Sequence, residues 1–469
     1  MKKLTWLLFA AMALTGLAAP SAQAQRRQEE FFQRSMFFER DIRERLEAVT
    51  PTDQKALIEY GGFYSPSYTY FTDLGGKHGH QTLQDLRLWT RIQVDQVHTV
   101  FARLRMDYID FAAGDSNGFR GHDLQGPNLD VGYYELNLTG AMDKYFHQKW
   151  PVQAAVRGGR QYIEVGRGIA MGQILDAGLF TVETKDFYFK GFAGRSISSQ
   201  DNIDTAAPDF THSRRMFYGG EARYLGIEHH EPYALFVFQD DQTRERPNVP
   251  GQDFRYDSQY YGVGSRGDVV QNLRYGVESL WQFGQSAPFP SVSEDERIRA
   301  YAFDAELAYY IQHALKPVVS MEYGYASGDG DRASATTTIL GNTPGTNDNQ
   351  FQGFGYVNSG LALGARFSNL QFLRLGTRMT PYDNKAGWGR IDVGGDYYFL
   401  FKADKDGPIS DFRANKTSGD VGQEIDIYLE WRILSDLAWS IRYGHFFPGQ
   451  AYANRDGRDF LFTGFNFSF

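Results

Sequence analysis

The most constraining feature of the chain is a two-residue alternation of apolar and polar side chains that begins near Lys55 and continues to the last residue. Between Gln84 and Asp95, mainly aliphatic side chains alternate with mainly charged or polar ones, and the pattern returns between Val100 and Tyr108. Because successive side chains of a β-strand point to opposite faces, the pattern predicts strands with one apolar and one charged face. Alternation alone fits a soluble sandwich or a membrane barrel equally well.

The lengths of the connections separate these two fold classes. Short connections such as Gln96-Val97 alternate with long polar ones such as Gly328 to Phe367, as in outer-membrane barrels with periplasmic turns and outer loops. The strand-like stretch Gly360 to Arg366 is assigned to that long loop because an extra strand would break the alternation. We therefore predict an all-β fold over residues 55–469, a transmembrane antiparallel up-and-down β-barrel of about 18 strands.

Composition agrees with a barrel. The chain has 29 tyrosines, 37 phenylalanines and 22% charged residues, and barrels combine aromatic girdles with a polar interior. No later segment offers about 20 consecutive apolar residues, so we predict no membrane-spanning helix. The final strand places Leu461, Thr463, Phe465, Phe467 and Phe469 on one face, and a terminal aromatic residue on such a strand resembles the assembly signal of outer-membrane barrels.

The first 24 residues have the organisation of a signal peptide. Lys2 and Lys3 precede an apolar run, which ends at the small-residue motif Ala22-Gln23-Ala24. We predict cleavage after Ala24, export and location in a bacterial outer membrane. An uncleaved membrane anchor is the alternative, and the shortness of the apolar run argues against it.

Residues 25–54 follow a different period from the rest. Apolar side chains spaced as on one helix face, from Phe31 to Val49, predict a short N-terminal amphipathic helix in the periplasm, and Pro51 ends it. The simplest interpretation is a cap on the rim of the barrel. Alternatives are a plug in the lumen, self-association, or binding of a periplasmic protein through residues 25–50.

The alternation also predicts which charged side chains face the lumen, because a charge facing lipid at the bilayer midplane costs roughly 2–4 kcal/mol. The predicted substrate-guiding residues are Arg87, Arg91, Arg103, Arg105, Arg157, Arg374, Arg378, Glu424, Asp426 and Arg442. These arginines either attract an anionic solute or pair with facing carboxylates to hold the barrel in shape. The densest basic group comprises Arg87, Arg91, Arg103 and Arg105 on two adjacent strands.

Nothing in the sequence indicates catalysis. His229-His230 and the Asp-Gly-Asp segment at Asp329 lack the ligand pattern of a metal site, and no convincing nucleophile and base are grouped together. We predict no enzyme activity, no catalytic residue, no metal and no cofactor.

Several short motifs resemble those of the alginate export family of outer-membrane porins. They are Gly159-Arg160-Gln161 followed by Gly166-Arg167, the segment Gly422 to Ile427, the segment Ile441 to Gly449, and the last strand ending in Phe469. The resemblance implies a monomeric barrel of roughly 18 strands with an electropositive lumen that guides an anionic polysaccharide passively. It also implies that Arg160 faces the lumen beside Glu424, Asp426 and Arg442, which requires a bulge at Gly158-Gly159.

From these features we predict a channel that guides a polar, anionic solute passively across the outer membrane, such as an acidic exopolysaccharide of the alginate type. The expected partners are an anionic small molecule or polysaccharide and outer-membrane lipid, with no nucleic acid. The alternative is a non-transporting barrel that acts as an adhesin or a structural anchor. Ion conduction through the purified protein would distinguish the two.

Overall fold

A computed structural model describes residues 56–72, 78–111, 121–197, 215–242, 256–286, 296–335, 341–384 and 387–469. Among the described segments, no helix combines the length and apolar character needed to cross a membrane. The signal peptide, its cleavage site and the helix predicted within residues 25–54 lie outside the described residues, so all three remain predictions.

The described residues form 18 strands and one short helix. In chain order these are β1 (Ala56–Thr72), β2 (His78–Val94), β3 (His98–Phe111), β4 (Gly121–Asn137), α1 (Leu138–Phe146), β5 (Gln153–Val165), β6 (Met171–Glu183), β7 (Phe187–Arg195), β8 (Arg215–Tyr224), β9 (His230–Asp241), β10 (Tyr256–Val270), β11 (Leu273–Ser286), β12 (Glu296–Tyr310), β13 (Val318–Ala326), β14 (Leu370–Asn384), β15 (Gly389–Lys402), β16 (Asp420–Arg432), β17 (Leu437–Pro448) and β18 (Arg458–Ser468).

Every strand pairs antiparallel with its neighbours in the sequence, and β1 pairs with β18 to close the ring. At the seam, Gly62 and Phe469 exchange two backbone hydrogen bonds of 2.8 and 2.9 Å, so the terminal residue completes the ladder. Closure leaves the barrel without a free sheet edge at the seam. The fold is therefore the predicted closed, antiparallel, up-and-down barrel of 18 strands.

The two faces of the wall differ as the alternation predicts. Large apolar side chains such as Leu104, Phe236, Trp281 and Ile427 are exposed on the outward face, which is the face that meets lipid in a membrane barrel. Arginines, carboxylates and a second set of apolar residues point inward. We call the end of the barrel with the short connections the turn end, and the opposite end the loop end. The alternation of short and long connections predicts that the turn end lies in the periplasm.

All 18 predicted strands overlap observed ones, and residues 360–366 lie in the β13–β14 connection, outside any strand, as predicted. Several boundaries differ, among them those of β4. Strand β4 begins at Gly121, within a predicted loop, because two register shifts against β3 and the Gly126-Pro127 pair interrupt its alternation. The long turn expected after β4 contains α1, which begins at Leu138.

Candidate functional site

The basic group predicted on β2 and β3 forms a network of ion pairs on the inward face. The guanidinium of Arg87 lies 3.1 Å from Asp85 and 3.2 Å from Asp130, and that of Arg103 lies 2.7 Å from Asp130. Asp130 belongs to β4, so the network joins three neighbouring strands. We call this region, together with Arg105 and Asp107, the β2–β4 charge network.

Within this network, Arg105 differs from its partners in exposure. Its Nε lies 3.3 Å from Asp85 and 3.6 Å from Asp107. The Arg105 side chain keeps 24% of its surface exposed, whereas the side chains of Asp85 and Asp107 keep only 2% and 7%. The side chain of Arg105 is thus the most exposed member of this group of ion pairs.

Two further predicted arginines pair along the same side of the barrel. Arg91 lies 3.4 Å from Glu59 of β1. The Nε of Arg157 on β5 donates to Glu135 of β4 at 2.7 Å, and its guanidinium lies 4.3 Å from the ring centroid of Tyr133. Arg91 and Arg157 therefore extend the row of paired guanidinium groups on either side of the β2–β4 charge network.

Arg160 lies where the β5–β6 hairpin leaves the wall. Strand β5 pairs with β4 only as far as Arg160, and β6 pairs with β7 only from Asp176 onward. Arg160 bonds Asp176 at 2.9 Å and the Leu129 carbonyl at 2.8 Å. The β4–β5 register shows no shift at the place where a bulge was expected; Gly159 instead has φ of +136°, which a residue without Cβ tolerates. The proposed role of Arg160 stays a prediction.

Residues 161–175, which we call the inner hairpin, extend across the lumen. Arg167 at its tip bonds Asp304 at 2.7 Å and Glu306 at 3.1 Å on β12, and its backbone N–H donates to Glu278 of β11 at 2.7 Å. Burial lowers the pKa of Arg167, but the surrounding carboxylates outweigh that effect and raise it above its ordinary value. The tip is therefore clamped to the far wall by a permanent positive charge.

The segment 341–369 of the β13–β14 connection, which we call the inner loop, also folds inward. Glu424 accepts hydrogen bonds from the backbone N–H groups of Ala362 and Leu363 at 2.5 and 2.8 Å, and Asp426 accepts one from Leu361 at 3.1 Å. These two carboxylates, predicted as lumen residues, face inward and are buried beneath the loop. In this conformation they anchor the inner loop.

The inner hairpin and the inner loop pack directly against each other. Phe354 donates its N–H to the Ala170 carbonyl at 3.1 Å and accepts from Gly172 at 3.2 Å. A Cβ at Gly355 would lie 1.5 Å from the carbonyl oxygen of Gly168, so only glycine allows this approach. We call the two segments together the inner layer.

An apolar core fills the space between the inner layer and the wall. The Phe354 ring lies 5.0 Å from Phe217 of β8 and 5.8 Å from Tyr260 of β10. The core also contains Ile163, Val165, Met171, Leu175, Leu280, Phe351, Leu363, Phe367, Phe372, Leu400 and Phe446, all buried. This packing immobilises the inner layer against the β8–β17 side of the lumen.

The remaining predicted residues lie on β14 and β17. Arg374 pairs with Glu322 and lies 3.5 Å from Glu306, so it belongs to the same carboxylate group that binds the tip of the inner hairpin. Arg442 lies 2.6 Å from Glu430 of β16. Arg378 is exposed near the turn end and forms no ion pair with the described residues.

The ring places the two charged regions opposite each other, because β2 and β11 are half of an 18-strand circuit apart. The β2–β4 charge network exposes the guanidinium of Arg105, whereas the opposite wall carries Glu278, Asp304 and Glu322. The acids of the opposite wall are buried, and Arg167 and Arg374 bind them.

Sequence analysis missed the inner layer. Arg167 was noted only as part of a family motif, and the glycines of Phe351-Gln352-Gly353-Phe354-Gly355 were not singled out. Two signals could have revealed the inner layer: an Arg between two glycines in a very short outer connection, and a Gly-aromatic-Gly segment inside a long one.

Comparisons with known structures agree with this architecture. OccAB1 from Acinetobacter baumannii superposes with a TM-score of 0.52 at 12% identity, covering 88% of this chain and 96% of that one. OccK7 (OpdD) from Pseudomonas aeruginosa gives a TM-score of 0.49 at 13% identity, covering 89% and 99%. At such low identity, the similarity to OccAB1 supports the fold alone. None of the curated protein sequences compared with this chain matches it.

The sequence profile of the family described as alginate export matches residues 75–465. The match covers most of the chain and includes every strand from β2 to β17, the β2–β4 charge network and the inner layer. Fold and family together are those of an outer-membrane channel rather than an enzyme. The chain thus belongs to the alginate export family of outer-membrane β-barrel proteins.

Proposed function

We propose that this channel guides an anionic solute, in the first instance an acidic polysaccharide or oligosaccharide, passively along the β1–β5 side of its lumen. The observation that carries the proposal is the exposure of Arg105 above two buried carboxylates. Neighbouring Arg91 and Arg157 are also partly exposed and inward-facing. The solute path therefore follows the wall that the inner layer leaves uncovered.

The mechanism follows from the chemistry of guanidinium groups. Arginine presents a planar set of donors that matches a carboxylate, so it can replace part of the hydration of a uronate or a similar anion. The buried acids beneath the arginines lower the net attraction. Binding is then weak enough at each position for the solute to move on, as conduction through a multi-site pore requires.

The alternative function, a non-transporting barrel, has one observation in its favour: the packed inner layer fills part of the lumen. An adhesin or anchor needs no aqueous path, whereas a channel does. Purified protein that shows no ion conduction in a planar bilayer, with or without residues 25–50, would support the alternative and overturn the proposal.

The test of selectivity uses Arg105→Gln in a planar bilayer under a potassium chloride gradient. We expect the wild type to prefer chloride and the variant to lose anion preference by about two-fold or more, because one lumen charge is removed. The matched control is Arg297→Gln. Arg297 lies on the outward face of β12, because its neighbour Ile298 is buried and faces inward, so this variant removes the same charge outside the lumen. Equal reversal potentials in wild type and Arg105→Gln would exclude this wall as the selector.

Solute class is tested by current block. We expect uronic-acid oligomers to interrupt the current at lower concentration than neutral oligosaccharides of equal length, and Arg105→Gln to narrow that difference. Equal block of the current by charged and neutral sugars would show that the channel does not recognise anions.

A further inference from the structure

The helix α1 lies in the β4–β5 connection at the turn end and is held in a fixed position. The side chain of Asn137 caps its first turn by accepting from the Gly140 N–H at 2.9 Å, and His147 ends it in the left-handed conformation. Thr139 accepts from the Ala154 N–H at 2.8 Å, which ties the helix to the start of β5. Such contacts are unusual for a simple turn and define an ordered element.

The helix continues the outward face of the barrel. The Tyr145 ring lies 6.0 Å from that of His98, which lies 6.0 Å from that of Tyr134, and all three are stacked. Tyr134 is exposed on β4, and His98 shares the outward parity of Val100 on β3. Tyr145 also donates to Asp95 at 3.2 Å, so the stack is fixed to the β2–β3 turn.

The end of α1 and the residues just after it expose large aromatic side chains. No residue of the helix is buried, and Tyr145, Phe146 and Trp150 expose 46%, 64% and 40% of their surface. Lys144 bonds Asp95 at 2.9 Å, and Lys149 is exposed beside Trp150. Two exposed aromatic residues at the end of α1, with Lys149 and the exposed Trp150 just after it, favour a partner that is apolar on one side and anionic on the other.

We propose that α1 is an interfacial anchor that binds phospholipid of the membrane leaflet at the turn end. Phe146 and Trp150 insert at the level of the upper acyl chains, and Lys149 contacts headgroup phosphate. Aromatic rings with polar edges favour this zone, and short amphipathic helices lie in it with their apolar side toward the chains. A lipid partner is favoured over a protein because the surface is continuous with the outward belt.

The test exploits the absence of cysteine from the chain. The Phe146→Cys variant carries an environment-sensitive fluorophore on its single cysteine. The labelled protein is reconstituted in vesicles of phosphatidylethanolamine and phosphatidylglycerol with brominated acyl chains. Met321→Cys on the outward face of β13 provides the lipid-exposed reference, and Gln312→Cys in the exposed β12–β13 connection provides the water-exposed reference at the same end. Heat-dependent gel mobility verifies that each variant folds.

We expect bromine to quench the label at position 146 at least about half as strongly as at position 321, with little quenching at position 312. Replacing Lys149 with Glu should weaken that quenching in vesicles rich in phosphatidylglycerol, because the headgroup contact is lost. Quenching at position 146 no greater than at 312 would overturn the proposal and point to a protein partner. The ion selectivity of the channel is independent of this result.

Discussion

The β2–β4 charge network and the inner layer both rely on arginine–carboxylate pairs, yet they are built differently. In the network, Arg87, Arg103 and Arg105 find their acids within three consecutive strands, β2 to β4. In the inner layer, Arg167 bonds acids that lie 137 and 139 residues further along the chain. The network is thus a local product of strand alternation, whereas the inner layer is a tertiary product that exists only once the ring has closed.

This difference has a functional consequence. The network lines a wall and can exchange protein contacts for solute contacts without moving a backbone segment. The inner layer occupies the lumen, and its contacts decide how much of the cross-section stays open. Selectivity should therefore depend on the first region and conductance on the second.

The largest effect is expected from Arg167→Met, which removes the clamp but keeps much of the apolar stem. Asp304 is buried and would lose its cation, so we expect the free energy of unfolding to fall by about 2–4 kcal/mol. Because Arg167 is partly exposed, the loss should lie at the lower end of this range. Single-channel conductance should rise as the hairpin tip is released. Urea unfolding in detergent micelles and bilayer recordings measure the two effects.

A double variant checks the cause of that loss. The double variant Arg167→Met/Asp304→Asn should be more stable than Arg167→Met alone, because the buried charge of Asp304 is removed together with its partner. The control is Arg274→Met, whose partner Asp268 is exposed, and a loss within about 1 kcal/mol is expected there. A similar loss in both single variants would show that Arg167 is no clamp.

The next effect in size concerns the contact between the two halves of the inner layer. Gly355→Val places side-chain atoms against the Gly168 carbonyl and should cost about 1–3 kcal/mol while separating loop from hairpin. Conductance should increase and selectivity should change little. Gly158→Val is the matched control, since a Cβ there meets nothing within 4 Å. Identical conductance in both variants would mean that the contact does not restrict the pore.

The contrast also explains how far the sequence could predict this molecule. All 18 strands follow from alternation, because one face of each meets lipid and the other the interior. The rule fails for residues 161–175, which are all buried or half-buried. Inside the lumen both faces of a strand contact protein, so nothing selects polar residues at every second position. Accordingly, alternation alone predicts that β5 ends at Ile163 and β6 begins at Ala177, whereas the observed strands extend to Val165 and begin at Met171.

Individual site residues show the same limit. Alternation placed Glu424 and Asp426 on the inward face, but only the folded chain shows that backbone N–H groups of the inner loop bind them. A pattern of period two identifies the face of a side chain and carries no information about a segment 60 residues away. By contrast, Asp85 and Asp107, which pair with Arg87 and Arg105, lie within the same alternating runs as these arginines.

The smallest effect is expected from a substitution within the charge network itself. It should change the chloride preference in the opposite direction to Arg105→Gln. Asp85→Asn removes the acid beneath Arg87 and Arg105, so the wall becomes more positive without losing a guanidinium. We expect the chloride preference to rise by up to about two-fold at 0.1 M salt and the difference to vanish near 1 M, where the screening length is only about 3 Å. Reversal potentials at both salt concentrations measure it. Because asparagine keeps the shape of aspartate, an unchanged or reduced chloride preference at low salt would show that the exposed guanidinium does not set selectivity.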